Sequence, residues 1–380
     1  MSKRRRWSKR GKIQLLTFFG VAAGLSVYIA ATSSPAHAPQ KLRPPHAAQA
    51  RLPWRSSRLN PVLPGDVLIA DSYNHRILIV NAQKRIVWQF PPPGAKPNRP
   101  FARPDDAFFG PHFDEIITNE EDYQVISIIN IHQRHVVWQY GHFGRAGSAP
   151  GYLDYPDDAF LYWRNGHGLI TVADIRNDRI LTINRSTHQV VRQYGQTRVD
   201  VARPPATYAA PNGDFPAPHR GMLVTQIGGQ DVVRLNHQGH VLWTLPLPYF
   251  YPSDANLTPH GNVIVAFYTN PGRIIKISRH GKILWQYYFR SGPRALNKPS
   301  LAMELPNGNI LATDDHNDRV VVINPKTKRI VWQYGHRGVP GKAPGYLNVP
   351  DGADWLPAGI TPGAKHPVGH HLWSYPGNGY

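Results

Sequence analysis

The chain has 380 residues, 41% of them hydrophobic and 11% aromatic, enough to build one large packed core. Its 37 prolines and 33 glycines exclude long helices over most of its length and suit short strands joined by turns. The absence of cysteine excludes disulfides, thiolate nucleophiles and cysteine metal sites. The net charge of +19 is concentrated at the start. Residues 1–58 hold twelve Lys or Arg and no acid, which leaves +7 for the remainder, so no nucleic-acid partner is expected.

Residues 1–38 have an export layout. The basic run KRRRWSKRGK precedes a charge-free apolar stretch, Ile13 to Ala31. That stretch is close to the ~20 residues that cross a bilayer as a helix. The basic flank should stay in the cytoplasm and the chain beyond it should be translocated. AHA at Ala36–Ala38 resembles a signal-peptidase site, but Pro39 would follow the cut and obstruct it. The expectation is an uncleaved membrane anchor, with secretion after cleavage near Ala38 as the alternative. Residues 39–58, rich in Pro, Ala and basic side chains, read as a disordered tether. The region 59–357 is then an extracytoplasmic domain, expected to be a monomer. A Pro/Gly-rich tail, 358–380, follows it.

That region is repetitive. A phrase of the type I-V-W-Q recurs with its tryptophan at Trp88, Trp138, Trp243, Trp285 and Trp332, and a further copy, VVRQYG, puts Arg192 in the tryptophan's place. A second marker is a proline ahead of a short apolar run: Pro104, Pro156, Pro204, Pro252, Pro299 and Pro350. Both markers count six periods of about 40–50 residues, the length of a propeller blade. Within one period four short Val/Ile/Trp-rich runs alternate with Gly, Asn, Asp or Pro turns. The predicted fold is therefore all-β: a six-bladed β-propeller of four-stranded antiparallel blades. The first period begins at its second strand, GDVLIAD, and the last marker, VPDGADWLP at Val349–Pro357, has no blade after it. The C-terminal strand should close blade 1 and remove an exposed edge. LNPVLP at Leu59–Pro64 is the alternative first strand.

The phrase IADSYNHRI resembles the NHL repeat, whose blades carry Asp-x-x-Asn-x-Arg. IVWQYG resembles the related pyrroloquinoline-quinone-like repeat, of the extracytoplasmic bacterial type. The resemblance covers about residues 60–357 and implies the fold. It leaves function open, because such propellers serve as lyases, lactonases, sulfotransferases, sensors and binding platforms. Bound quinone is not expected: the large quinoprotein dehydrogenases resemble eight-bladed rings, and many use a cysteine pair that this chain lacks. The amidating lyase of the NHL type holds zinc with channel histidines, and no marker here carries one. No nucleophilic serine elbow or phosphate-binding loop is present either.

Three groups of residues could carry chemistry. The triplet occurs in full as Asp71/Asn74/Arg76, Asp174/Asn177/Arg179 and Asp314/Asn317/Arg319, and reads as turn-capping fold grammar. A second duplication, YGHFGRAGSAPGYL from Tyr140 and YGHRGVPGKAPGYL from Tyr334, links consecutive blades and brings His142, Arg145, His336 and Arg337 to one loop-rich face. Its Tyr152 and Leu153 could equally plug a groove between blades. The third group follows the proline marker: Asp105, Asp106, Asp157, Asp158, Asp254 and Asp351, with Pro205-Ala206 and Ser300-Leu301 in the other two blades. These positions begin the innermost strands, so the carboxylates should meet at the channel mouth. They could hold Ca²⁺, with Asp106 and Asp158 as metal ligands, supply an acid–base pair, or merely cap strands and pair with loop arginines. Histidines 132, 135, 237, 240 and 280 fall at turns on the opposite face, and His370–His371 lies in the tail. Two functions follow. One is a membrane-tethered or secreted module that binds or senses a small-molecule or protein ligand through the loop face and acidic mouth. The other is a divalent-cation-dependent enzyme of the lyase, lactonase or sulfotransferase type.

Overall fold

The computed structural model describes residues 61–363 apart from positions 165, 218, 220 and 362. Six four-stranded sheets follow one another around a ring, every strand pair within them antiparallel. Blade 3 is representative: Pro156–Arg164 is innermost, then His167–Asp174, Arg179–Asn184 and Val190–Tyr194. The only helices among the described residues are four single 3₁₀ turns, such as Ser72–Asn74. None is long and apolar enough to cross a membrane. The predicted span 13–31 and the tether lie outside the described residues, as does almost all of the tail.

Blade 1 is sewn from both ends of the described chain. Pro350–Pro357 pairs with Gly65–Asp71, with Val67 opposite Trp355 and Leu68 opposite Asp354. The C-terminal segment thus supplies the innermost strand, as the sequence predicts, and seals the ring.

Alternating side chains of each strand fill the two neighbouring inter-blade grooves with Val, Ile, Leu and Phe. The tryptophan phrase closes the outer end of each groove. Trp138 Nε1 donates to Arg185 O of the next blade at 2.9 Å, and Trp332 Nε1 does the same to Ala82 O across the seam.

The triplets are structural. Arg179 Nε donates to Asp174 Oδ2 at 2.8 Å and Asn177 Nδ2 to the same oxygen at 2.9 Å. The remaining donors of Asn177 and Arg179 reach Gly147 O, Ser148 O and Tyr152 O in the preceding inter-blade loop. In blade 1 Asn74 and Arg76 make the equivalent bonds to Gly341 O, Lys342 O and Tyr346 O. The two duplicated phrases therefore belong together: the triplets of blades 1 and 3 each grip one copy of the long loop, while that of blade 6 reaches Pro293 O and Ala295 O instead. Leu153 and Leu347 at the ends of those loops are fully buried, which makes them the plugs anticipated above.

One marker was misplaced. The innermost strand of blade 4 is Pro211–Ala217, so the marker proline is Pro211 and not Pro204, and Pro205-Ala206 is not a channel position. The backbone gives the reason. The residue before each true marker turns through a left-handed conformation: Arg103 (φ 49°), Tyr155 (64°), Ala210 (45°), Tyr251 (54°), Lys298 (52°) and Val349 (50°). Non-glycine residues rarely do this. At all six places it swings the chain from the inter-blade loop into the channel.

Candidate functional site

Aligned on that turn, the first marker position reads Asp105, Asp157, Asn212, Ser253, Ser300 and Asp351 around the ring. The second reads Asp106, Asp158, Gly213, Asp254, Leu301 and Gly352. The two rows form two tiers at the channel mouth.

In the upper tier Asp105, Asp351 and Glu121 are half-buried around a cavity of about 90 Å³. Tyr155, Tyr251 and Tyr268 complete its wall. This space exceeds the roughly 10–15 Å³ that one water needs, so a hydrated ion or a small polar group fits. Burial and the surrounding carboxylates hold the three phenols above their ordinary pKa, so they stay O–H donors at neutral pH.

The lower tier is buried. Asp106, Asp158 and Asp254 are at most 3% exposed. Oδ1 of Asp106 and both oxygens of Asp158 and Asp254 meet no hydrogen-bond donor in bonding geometry. Their neighbours are other acids: Asp106 lies against Asp157, and Asp158 against Asp254. Burial first, and mutual repulsion second, push Asp106, Asp158 and Asp254 well above the usual carboxylate range. Asp157 is raised to about 6 by burial, offset by bonds from its neighbours. No lysine or arginine among the described residues forms an ion pair with any of them. The expected pairing of these aspartates with loop arginines is therefore not found among the described residues.

The glycines of the second row leave the space. A Cβ at Gly352 would stand 2.5 Å from Asp106 Oδ1, and one at Gly213 would stand 3.0 Å from Asp158 Oδ2. Side chains there would displace the carboxylates that converge on the axis.

Two groups of three can each present oxygens within 4.8 Å of one another: Asp105/Glu121/Asp157 and Asp106/Asp157/Asp158. Asp157 belongs to both, so one seat lies above the other. The donors are hard carboxylate oxygens, which suit Ca²⁺ or another hard divalent ion. All six predicted aspartates thus gather in one place.

Sequence reading missed Glu121, Tyr268 and Asp315. Each occupies the same register, one residue after the second strand of its blade, and Asp315 is fully buried with both oxygens lacking a donor. The second aspartate of TDDHN was the available signal. Tyr155 and Tyr251 were hidden because they precede the marker, and only the left-handed turn aims them inward.

The loop-face residues do not join this site. His142 stacks on Tyr152 of its own loop with ring centroids 4.1 Å apart, and His336 on Tyr346 at 4.4 Å. Both histidines, with Arg145 and Arg337, are exposed, and none lines the mouth cavity.

Comparisons with known proteins agree with the repeat. A family model of pyrroloquinoline-quinone-type repeats, described as outer membrane protein assembly factor BamB, matches residues 189–343. A crystal structure of a protein of unknown function from Bacteroides caccae is 17% identical with a TM-score of 0.52, and the match covers 76% of this chain and 98% of that one. Virginiamycin B lyase from Staphylococcus aureus is 14% identical with a TM-score of 0.42, over 61% of this chain and 69% of that one. Hydrazine synthase of Kuenenia stuttgartiensis is 14% identical with a TM-score of 0.47, over 70% and 75%. At these identities the likeness concerns the fold alone. A sequence search of curated proteins found no match.

Proposed function

We propose that this chain, a six-bladed β-propeller of the pyrroloquinoline-quinone-like repeat type, is a binding module whose ligand site is the acidic channel mouth, loaded with a divalent cation. Segment 13–31 holds it to the membrane and the propeller faces away from the cytoplasm. One observation carries the reading: Asp106 Oδ1 and both carboxylate oxygens of Asp158 and Asp254 are buried together without a donor or a cationic side chain. Burying like charges this way is costly unless a cation or protons neutralise them. Asp105, Glu121 and Asp157 would hold an upper ion, and Asp106, Asp157 and Asp158 a lower one. The tyrosine hydroxyls above them would orient a polar ligand that shares the upper ion's coordination.

The test is elemental analysis of the purified full chain in detergent, followed by calcium titration of its melting temperature. A stoichiometric divalent ion, or a melting temperature that climbs with calcium after chelation, is the expected result. A chain that carries no divalent ion and melts unchanged with calcium, magnesium or manganese would sink the reading.

A cation-dependent enzyme is the second reading, and one contact favours it. Tyr268 Oη lies 3.3 Å from His316 Nε2 at the edge of the mouth. Burial and the nearby Lys298 lower the His316 pKa, so its imidazole is neutral and able to take a proton at Nε2. A bound divalent ion would supply Lewis-acid polarisation of a substrate oxygen. His316→Ala should then abolish turnover of a substrate while leaving the calcium-dependent rise in melting temperature intact. In a pure binding module it leaves both binding and stability nearly unchanged.

A further inference from the structure

One inter-blade groove lacks the tryptophan that the other five carry. In blade 2 the cross-strand row facing the next blade is Phe108, Ile117, Ile128 and Trp138. In blade 6 it is Met303, Leu311, Val322 and Trp332. In blade 3 the same row reads Phe160, Thr171, Thr182 and Arg192. Two aliphatic residues have become threonines, and the indole has become a guanidinium.

Arg192 keeps the tryptophan's hydrogen bond. Its Nη1 donates to His237 O at 2.9 Å, the counterpart of the Trp138 bond to Arg185 O. It does not keep the ring. A cavity of about 210 Å³ lies between blades 3 and 4, walled by Tyr162, Val191 and Met222 as well as by Thr171 and Thr182. An apolar cavity of roughly 150 Å³ already accepts benzene.

The facing blade contributes a buried acid. Asp214 lines this cavity and is fully buried. Neither of its carboxylate oxygens meets a donor in bonding geometry, although the Thr171 hydroxyl is close enough to draw its pKa down against burial. In the other five blades this register position, three residues after the marker proline, holds alanine: Ala107, Ala159, Ala255, Ala302 and Ala353. A buried acid without a partner has thus replaced alanine in the one blade that faces the groove without a tryptophan.

We propose that this groove is a binding site for a small planar aromatic cation. Its ring takes the seat that tryptophan occupies in the counterpart grooves, and its protonated nitrogen pairs with Asp214. The apolar wall accepts the ring, the threonine hydroxyls accept or donate at its edge, and Arg192 can lie over its face at the rim. The cavity is distinct from that of the mouth, although Asp214 and Asp158 feel each other's charge, and it does not depend on a divalent ion.

Tryptamine is a suitable probe, because it joins an indole to a basic nitrogen. Isothermal titration calorimetry on the calcium-loaded full chain should show one tryptamine bound per chain, and indole should bind at least tenfold more weakly. Asp214→Asn should weaken tryptamine at least tenfold. Arg192→Trp restores the residue used in other blades, so it should fold normally, melt no lower than the parent and lose tryptamine binding. Removing calcium with a chelator should leave tryptamine binding unchanged. The proposal is overturned if tryptamine fails to bind at millimolar concentration, if indole binds as well as tryptamine, or if folded Arg192→Trp binds it undiminished. Loss of binding on chelation would equally overturn it, by tying the amine to the cation-loaded mouth.

Discussion

Two sets of buried aspartates stand on neighbouring strands: Asp174, for example, pairs with Pro156, two residues before Asp158. Asp71, Asp174 and Asp314 are fully buried and each is gripped by an arginine, with Nε–Oδ2 distances of 2.6, 2.8 and 2.7 Å. Asp106, Asp158 and Asp254 are as deeply buried and have no cation. Burial raises the first set only modestly, Asp174 to about 6, because Arg179 and hydrogen bonds offset it. It raises the second set far more, since the neighbours there are further carboxylates. The paired set repeats wherever a long loop must be held, which is what a structural device does. The unpaired set converges once, on the axis, where a missing charge has room to sit.

Breaking a paired member should give the largest effect. Arg179→Met leaves Asp174 buried and unneutralised, and also strips donors from Ser148 O and Tyr152 O. A loss of about 3–5 kcal/mol in unfolding free energy is expected, read from urea denaturation. A loss below about 1 kcal/mol would erase the distinction between the two sets.

The unpaired set should respond in the opposite direction. Asp106→Asn with Asp158→Asn removes two mutually repelling charges, so the cation-free variant should melt higher than its parent. It should also lose the parent's calcium-dependent gain, which for a single site amounts to roughly 2.7 kcal/mol at a hundredfold excess over Kd. If the double variant melts lower and still gains stability with calcium, the ion is held elsewhere.

Blade 2 contains a natural intermediate. Glu120 occupies the aspartate position of the triplet, but Val125 stands where the arginine would be. Burial pushes Glu120 up to about 8 despite bonds from Ser127 and the Ala102 amide. An acid with a raised folded-state pKa binds its proton more tightly when folded. Its contribution to stability is complete below the unfolded value and is lost as pH rises through the folded one. Asp214, at about 8, and Asp354, at about 7, act in the same sense. Cation-free protein should therefore lose stability between about pH 4 and pH 8, at up to about 1.4 kcal/mol per pH unit for each proton held. Glu120→Gln should flatten that slope. A slope unchanged in this variant, or stability that rises across the window, would show that Glu120 is not held protonated.

The fold was legible in the sequence because the proline recurs once per blade and the tryptophan in five blades of the six, at the turn into the channel and at the outer end of a groove respectively. Blade 4 misled for a physical reason. Its two marker aspartates are replaced by Asn212 and Gly213, and the prolines at 204 and 205 offered a false start. The six site aspartates were readable because the innermost strands of a ring must converge. Glu121, Tyr268 and Asp315 were not, because they stand at a turn whose direction depends on the neighbouring blade. The Arg192 exception was visible too, but its consequence was not: a missing ring becomes a cavity only when the facing blade supplies Asp214.

The loop-face histidines give the smallest expected effect, and they mark the outer limit of the site. His142 and His336 invite a functional reading because they repeat at identical places in two long loops. Each instead packs at a tilt against the tyrosine of its own loop, with its ring nitrogen near the glycine that precedes that tyrosine. The loops themselves are anchored independently. Tyr140 and Tyr334 accept the amides of Gly151 and Gly345, the triplets hold the loop carbonyls, and Leu153 and Leu347 are buried beneath. Removing an exposed ring from so many other ties should change stability by less than about 0.5 kcal/mol. His142→Ala and His336→Ala, alone or together, should accordingly keep the parent's calcium-dependent gain in melting temperature. A double variant that folds normally but loses that gain would extend the ligand site from the axis to the loop face, and would end the separation of structural loop from functional channel on which the contrast between the two aspartate sets depends.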